Sequence, residues 1–424
     1  MNAPSPEPPN PRAAPLFVVF GANAISLTGN VMTMTAVPWF VLQTTGSAAM
    51  TGIIASLHFL PVVLANLFGG AFVDRLGYKR ASVIADLTSG FTVALIPLLY
   101  STVGLPFWLL GTLVFVGALL DSPGSTARSA LLPEAAQQAG WSIERASGVY
   151  AAVERGSRLA GAPLAGILIA FVGATNVLWM DAATFLVSAA AISSAALAVP
   201  KPAPRSRYLT ELKEGFAFWR RDNVLLAITL TVTATNLLDS FSTVILPVLA
   251  ATLYGSSVTL GLMLGALGAG SVVSALVFAA TGRRLPRHQT FAVCFSLVAL
   301  ENLLLATFPP EIGAILVLFG SGLASGPLNP IIHTVEFERV PPHMRGRVFG
   351  LTHAFAWMAM PLGVLLAGVL VEFVGLRATL LGAGVAYVIT ALTIWTNRSM
   401  KAMDVAPEVE QASSARQQEP ALQG

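Results

Sequence analysis

Apolar runs of about 20 residues or more, separated by short polar breaks, recur along the whole chain, and a helix needs roughly 20 such residues to cross a bilayer. The runs fall at 16–42, 48–72, 81–101, 105–127, 148–172 and 177–198, then at 223–252, 258–281, 290–308, 312–337, 348–374 and 377–397. Six precede and six follow the longest polar stretch, KPAPRSRYLTELKEGFAFWRRDN (Lys201–Asn223). The pattern predicts an all-α integral membrane protein of twelve transmembrane helices in two six-helix bundles. Its predicted parts are a disordered tail over 1–15, bundles at 16–198 and 223–397, a cytoplasmic linker at 199–222, and a disordered tail at 398–424. The linker reads as a tether, although LTELKEGFAFWR within it has the composition of an amphipathic interfacial helix. The first run, Leu16–Leu42, is too long for a signal-peptide core and has no clear small-residue cleavage site, so it reads as a retained helix.

Composition agrees with lipid as the solvent. Of 424 residues, 55% are hydrophobic and 11% charged, and the mean hydropathy is +0.72, which no water-soluble globular surface could accommodate. The net charge of +3 does not point to nucleic acid, because the basic residues form no patch and sit in short connections. They set orientation instead. Arg75, Lys79, Arg80, Arg128, Arg145, Lys201, Arg205, Arg207, Lys213, Arg220, Arg221, Arg283, Arg284, Arg287, Arg339, Arg345 and Arg347 fall in one set of alternate loops, and only Arg377 in the other. Lysine and arginine are retained in cytoplasmic loops, so both termini, with Arg12, Arg398, Lys401 and Arg416, are expected in the cytoplasm. The one cysteine, Cys294, excludes an intramolecular disulfide framework. No Walker motif is present, and no His, Asp or Ser cluster points to a membrane enzyme.

The two halves echo one another. LAGILIAFVG (Leu164–Gly173) recurs as LAGVLVEFVG (Leu366–Gly375), in the fifth span and the eleventh. Parallel repeats of this kind imply pseudo-symmetric halves related by an axis along the membrane normal, with a path at their interface.

Between the second and third spans stands GGAFVDRLGYKR (Gly69–Arg80). It resembles the signature loop of the major facilitator superfamily. Gly70, Asp74, Arg75, Gly77, Lys79 and Arg80 match that loop, and Tyr78 stands where a basic residue is common. The resemblance implies a conformational latch: Asp74 would accept hydrogen bonds from the start of the eleventh span, near Gly346–Gly350, where the helix dipole favours an anion. Asp121, near the cytoplasmic end of the fourth span, joins that group as a partner for Arg75, Lys79 or Arg128. GAPLAGIL (Gly161–Leu168) is similar to the family's antiporter motif in Gly161, Pro163 and Gly166 and departs from it at Ala162 and Ala165. It reads as a hinge, or as close helix packing alone. With PGSTARSALLPE (Pro123–Glu134), MDAATFLVSAA (Met180–Ala190), NPIIHTVEFERVPPHMRGRVFG (Asn329–Gly350) and PLGVLLAG (Pro361–Gly368), the chain resembles the bacterial exporter branch that includes macrolide efflux and enterobactin export proteins.

Ionisable residues inside spans are costly and so are functional candidates. Asp239, mid-span in the seventh run, ranks first as a proton or cationic-substrate site, with Asn236 on the same helix face. Glu154 and Arg158 have the spacing of a helical ion pair, either structural or coupled to protonation. Asp181 lies near a helix end, and Glu301 calls for an interhelical partner. His58, His333 and His353 read as individual polar contacts rather than metal ligands, with Glu336 one turn from His333. Asn23, Thr28, Asn30, Thr33 and Trp39 of the first span are candidates for a cavity-facing cluster. The expectation is a non-enzymatic, proton-coupled exporter of small amphipathic molecules of drug, macrolide or siderophore type. It would work by alternating access, as a monomer in a bacterial inner membrane. Its partners would be substrate and lipid, with no nucleic acid, no metal, and no cofactor beyond the proton gradient. An uptake or metabolite transporter of the same fold, and a non-transporting receptor or scaffold, are the alternatives.

Overall fold

The computed structural model describes residues 13–197, 208–282 and 285–404, without the side chains of 64–72, 74, 75, 208–212 and 343. The tail up to Arg12, the linker residues Lys201, Arg205 and Arg207, the loop residues Arg283 and Arg284, and the chain after Asp404 with Arg416 lie outside the described residues. So do the side chains of Asp74 and Arg75 and the surroundings of Gly70 in the latch loop.

The regular structure among the described residues is helical throughout. Eleven helical stretches are long and apolar enough to cross a membrane. A further helix, α2 (Ala48–Leu76), runs for 29 residues. Packing divides the chain into two units, Met1–Val37 with Leu60–Pro204, and Pro38–Phe59 with Arg205–Gly424. The end of α1 (Ala14–Thr45) and the start of α2 therefore belong with the later unit, whereas the apolar pattern assigned them to the earlier one.

In the first unit, α3 (Tyr78–Thr102), α4 (Phe107–Ala130), α5 (Leu132–Gln138), α6 (Ile143–Val172) and α7 (Ala174–Ser194) join the first part of α1. Small residues let these helices approach: a methyl group on Gly124 would collide with Ala85, and one on Gly117 with Thr92. The fourth span does not end at 127. It runs on through α5, because Leu131, Leu132, Ala135 and Ala136 bury against Leu16, Val19 and Phe20 of α1. Arg128 is thereby carried into the interior instead of lying in a loop.

The second unit contains α8 (Tyr208–Arg221), α9 (Asn223–Asp239), α10 (Ser242–Leu249) with a π-turn over Ala250–Tyr254, α11 (Ser257–Thr281), α12 (Arg287–Leu305), α13 (Glu311–Ser325), α14 (Leu328–Arg339), α15 (Arg345–Met358), α16 (Met360–Phe373), α17 (Leu376–Thr396) and α18 (Arg398–Lys401). Its seventh, tenth and eleventh spans are broken helices, interrupted at Ser240–Phe241, Gly326–Pro327 and Ala359. Between α11 and α13 the backbones touch, since a methyl group on Gly270 would meet the Phe319 carbonyl and one on Gly322 the Leu267 carbonyl.

Two expectations at the edges are corrected. From residue 208 the linker is a packed helix rather than a tether, because the Trp219 ring stacks on Phe355 at 5.0 Å and its Nε1 donates to Thr229 at 3.0 Å. Glu214 of the same helix pairs with Arg347 at 2.7 Å. The second correction concerns the tail over 398–424, which is folded as far as Asp404, with Met400 and Met403 buried in the core of the unit.

The sequence echo has a backbone counterpart. Gly173, between α6 and α7, has φ 85° and ψ 155°, and Gly375, between α16 and α17, has φ 96° and ψ 155°. That region is open essentially to glycine alone. Gly173→Ala and Gly375→Ala are each expected to cost about 1–3 kcal/mol. The readout is the temperature at which the buried thiol of Cys294 becomes accessible to a thiol-reactive dye in detergent. Unmasking at the wild-type temperature would mean that the backbone relaxes there without cost.

Candidate functional site

A chain of polar groups crosses the interior of the first unit. Arg128 of α4 forms an ion pair with Asp86 of α3, both almost fully buried. The second Asp86 oxygen accepts from Ser188 of α7 at 2.7 Å, and Arg128 also donates to Ser26 of α1 at 3.2 Å. Two more carboxylates are held by α1: Asn30 donates to Asp121 at 2.5 Å, and Thr33 to Asp181 at 2.5 Å. Gly29 makes room for the latter, since a side chain there would collide with Asp181 and Thr184.

This arrangement revises several expectations. Asp121 is held by Asn30 of α1, while Arg128 is committed to Asp86. Asn23, Thr33 and Trp39 lie in the interior. All three are buried, and Asn23 Nδ2 and Trp39 Nε1 have no hydrogen-bond partner among the described residues. Thr28 bonds its own helix, at the Ala24 carbonyl. The polar face of α1 is used to solvate the carboxylates of α4 and α7, since lipid offers no alternative donor. Asp86 was not singled out by the sequence reading. A lone aspartate in an apolar span is the signal that would have found it.

The second unit contains an open-mouthed cavity of about 340 Å³. It lies where broken helices meet, lined by Asn236 and Asp239 at the end of α9, Asn329, His333 and Glu336 of α14, and His353, Trp357 and Met360 around the α15–α16 break. Irregular backbone at membrane depth is tolerated where it lines such a space. Asp239 accepts a hydrogen bond from the buried Tyr387 hydroxyl, whose oxygen also lies 3.2 Å from the Thr235 carbonyl. Asn236 donates to the Ala356 carbonyl at 2.9 Å. His333 and His353, which the sequence treats separately, stack with ring centroids 6.0 Å apart. Glu336 lies between α14 and α15, 3.3 Å from His333 Nδ1 and accepting from Thr352 at 2.9 Å. His58 is elsewhere, edge-on to Phe59.

The remaining candidates are dispersed. Glu154 and Arg158 form no ion pair with each other among the described residues, and Arg158 is exposed. Holding two long side chains together at an accessible site gains little. Gly161 is pressed against Val31 of α1, Pro163 lies inside α6, and Gly166 is buried. Gly77 has φ 80° at the start of α3, Lys79 donates to the Ala195 carbonyl at the end of α7 at 2.6 Å, and Arg80 is exposed. Glu301 of α12 accepts from Ser321 of α13, which supplies its interhelical partner. Glu372, near the end of α16, accepts from the backbone N–H of Ala48 at 2.8 Å and of Ala49 at 3.3 Å, so an acidic side chain caps α2 where the helix dipole favours it.

Comparison with known proteins places this architecture. The family model described as the Major Facilitator Superfamily matches residues 19–355 and 232–421. The chain belongs to the Major Facilitator Superfamily. Within the superfamily, it is 35% identical over 412 residues to the multidrug efflux pump Tap of Mycobacterium tuberculosis, covering 95% of this chain and 97% of that one. Macrolide efflux protein A of Streptococcus pyogenes is 20% identical over 401 residues, covering 92% and 97%. The resemblance to the exporter branch therefore holds along the chain. Among solved structures, the nucleoside transporter NupG aligns with a TM-score of 0.72 at 14% identity, over 90% of this chain and 98% of that one. A bacterial homologue of the human lysosomal transporter Spinster, inward-facing and unoccupied, aligns with a TM-score of 0.71 at 13% identity, over 95% and 100%. These two likenesses show the fold.

The Asp86–Arg128 pair gives this superfamily member a testable stability element. Removing one partner strands a buried charge, so Asp86→Asn is expected to destabilise the protein by about 3–5 kcal/mol. The double variant Asp86→Asn/Arg128→Gln should recover part of the loss. Thermal unfolding in detergent measures both, and a double variant no more stable than the single one would argue against the pair.

Proposed function

We propose that this chain is a proton-coupled exporter of small amphipathic molecules of drug type. The carrying observation is the 35% identity, along 95% of the chain, to a protein named as a multidrug efflux pump. In this reading twelve helices form two six-helix bundles in a bacterial inner membrane, with both termini in the cytoplasm, and the bundles rock about a central path. The excess of lysine and arginine in alternate loops supports that orientation. Moving one charge through 100 mV supplies about 2.3 kcal/mol, so a protonatable carboxylate can draw on the gradient.

Asp239 is the carboxylate best placed for this role, because it borders the cavity and sits where α9 breaks. Protonation would weaken its hold on the Tyr387 hydroxyl, and through it on α17. Glu372 ties α16 to the start of α2 within the later unit. It caps one end of α2, and the Gly70–Arg80 latch loop lies at the other end.

Cells expressing the protein should retain less of at least one compound in a panel of amphipathic drugs, and a protonophore should abolish the difference. Unchanged retention across the panel would overturn the export reading, and increased retention would establish uptake. Asp239→Asn is expected to reduce extrusion at least about tenfold, in the range for loss of an essential proton carrier. Proton-dependent extrusion at the wild-type rate would remove Asp239 from coupling. Glu372→Ala should lengthen the distances between spin labels placed on the α1–α2 and α16–α17 turns, and an unchanged distribution would remove Glu372 as the tie between them.

A further inference from the structure

The cavity of the second unit carries a donor set that transport alone does not require. One ligand atom each from His333, Glu336 and His353 lies within 4.8 Å of the other two. Two imidazoles and a carboxylate are the donors of a borderline cation such as Zn²⁺ or Co²⁺, with positions left open for water or another ligand. A point equidistant from three atoms 4.8 Å apart lies about 2.8 Å from each, against a bonding distance of about 2.1 Å. The required closure is below an ångström per ligand, and both histidines are exposed enough to turn.

The surroundings favour a cation as well. Glu336 is buried, with 3% of its surface exposed, in a span where an uncompensated carboxylate is costly. Its ion-pair partner is His333, which carries charge only when protonated. The Thr352 hydroxyl fixes one carboxylate oxygen and leaves the other facing the two rings, the outer-shell support that ligating carboxylates commonly have. The His333–Glu336 spacing, one helical turn on α14, sets two ligands on one face, and α15 brings the third across the turn between them.

We infer that His333, Glu336 and His353 form a binding site for one divalent transition-metal cation, open towards the cavity. The cation compensates Glu336 and presents its free coordination positions to the space beside Asn236 and Asp239, where a small molecule bearing an oxygen or nitrogen donor can join it. The inference rests on this geometry and not on the direction of transport.

The test uses full-length protein purified in detergent with a histidine-free tag and stripped with a chelator. Titration with Co²⁺, followed by visible absorption, should show one saturable site that Zn²⁺ competes for. His333→Gln and His353→Gln should each weaken binding by about tenfold or more, and Thr352→Val by about 10–100-fold. His353→Cys should retain the site and add a thiolate-to-cobalt charge-transfer band, which a purely structural role for the residue would not produce. Elution profile and the thermal transition confirm folding of each variant. Absence of a saturable site in the wild type, equal affinity in the His333→Gln/His353→Gln double variant, or no charge-transfer band in folded His353→Cys would overturn the inference. Because binding is read without transport, its failure would leave export untouched, and failure of export would leave the cation site standing.

Discussion

Hydrocarbon offers no hydrogen bonds, so each polar group inside a spanning helix has to be answered by another part of the chain. The Arg128–Asp86 pair is the fullest expression of that constraint. It ties α3 to α4 and, through Ser188 and Ser26, reaches α7 and α1. Asn30 with Asp121 and Thr33 with Asp181 repeat the solution on the same face of α1. These contacts give the first unit a directional interior, where apolar packing alone would leave helix rotation loosely specified.

The second unit meets the same constraint differently. Its seventh, tenth and eleventh spans are interrupted, and the freed groups and acidic side chains collect around a cavity. The carboxylates of the first unit are held by α1, α4 and α7, whereas Asp239, Glu336 and the two histidines border open space. The two interiors thus differ in what surrounds each charge rather than in how many charges each unit holds.

The all-helical membrane class and the family signature were legible because they depend on long apolar runs and on local motifs such as Gly77, whose positive φ is required where it stands. Gly173 and Gly375 were legible as an echo for the same reason. Partnerships were not. Arg128 looked like a loop charge because α5 continues the fourth span through a turn that sequence reads as an end. Asn30 and Thr33 looked like cavity contacts because a polar helix face does not reveal whether it meets water or a neighbour's carboxylate. His333 and His353 converge only because the chain reverses between α14 and α15. Met400 and Met403 were hidden in a polar tail whose last apolar residues plug the core.

The apposition of α11 and α13 reaches beyond packing. Gly270, Gly322 and Gly326 have backbone or a serine hydroxyl where a methyl group would go. The outer face of α11, with Val273, Leu276 and Val277, is open. The pair of helices therefore carries two histories of permitted change. Along the glycine stripe nearly any substitution pries the pair apart, and one turn away the residue can drift among apolar types without penalty. Lineages of this protein should record that contrast as a frozen line beside a freely varying one.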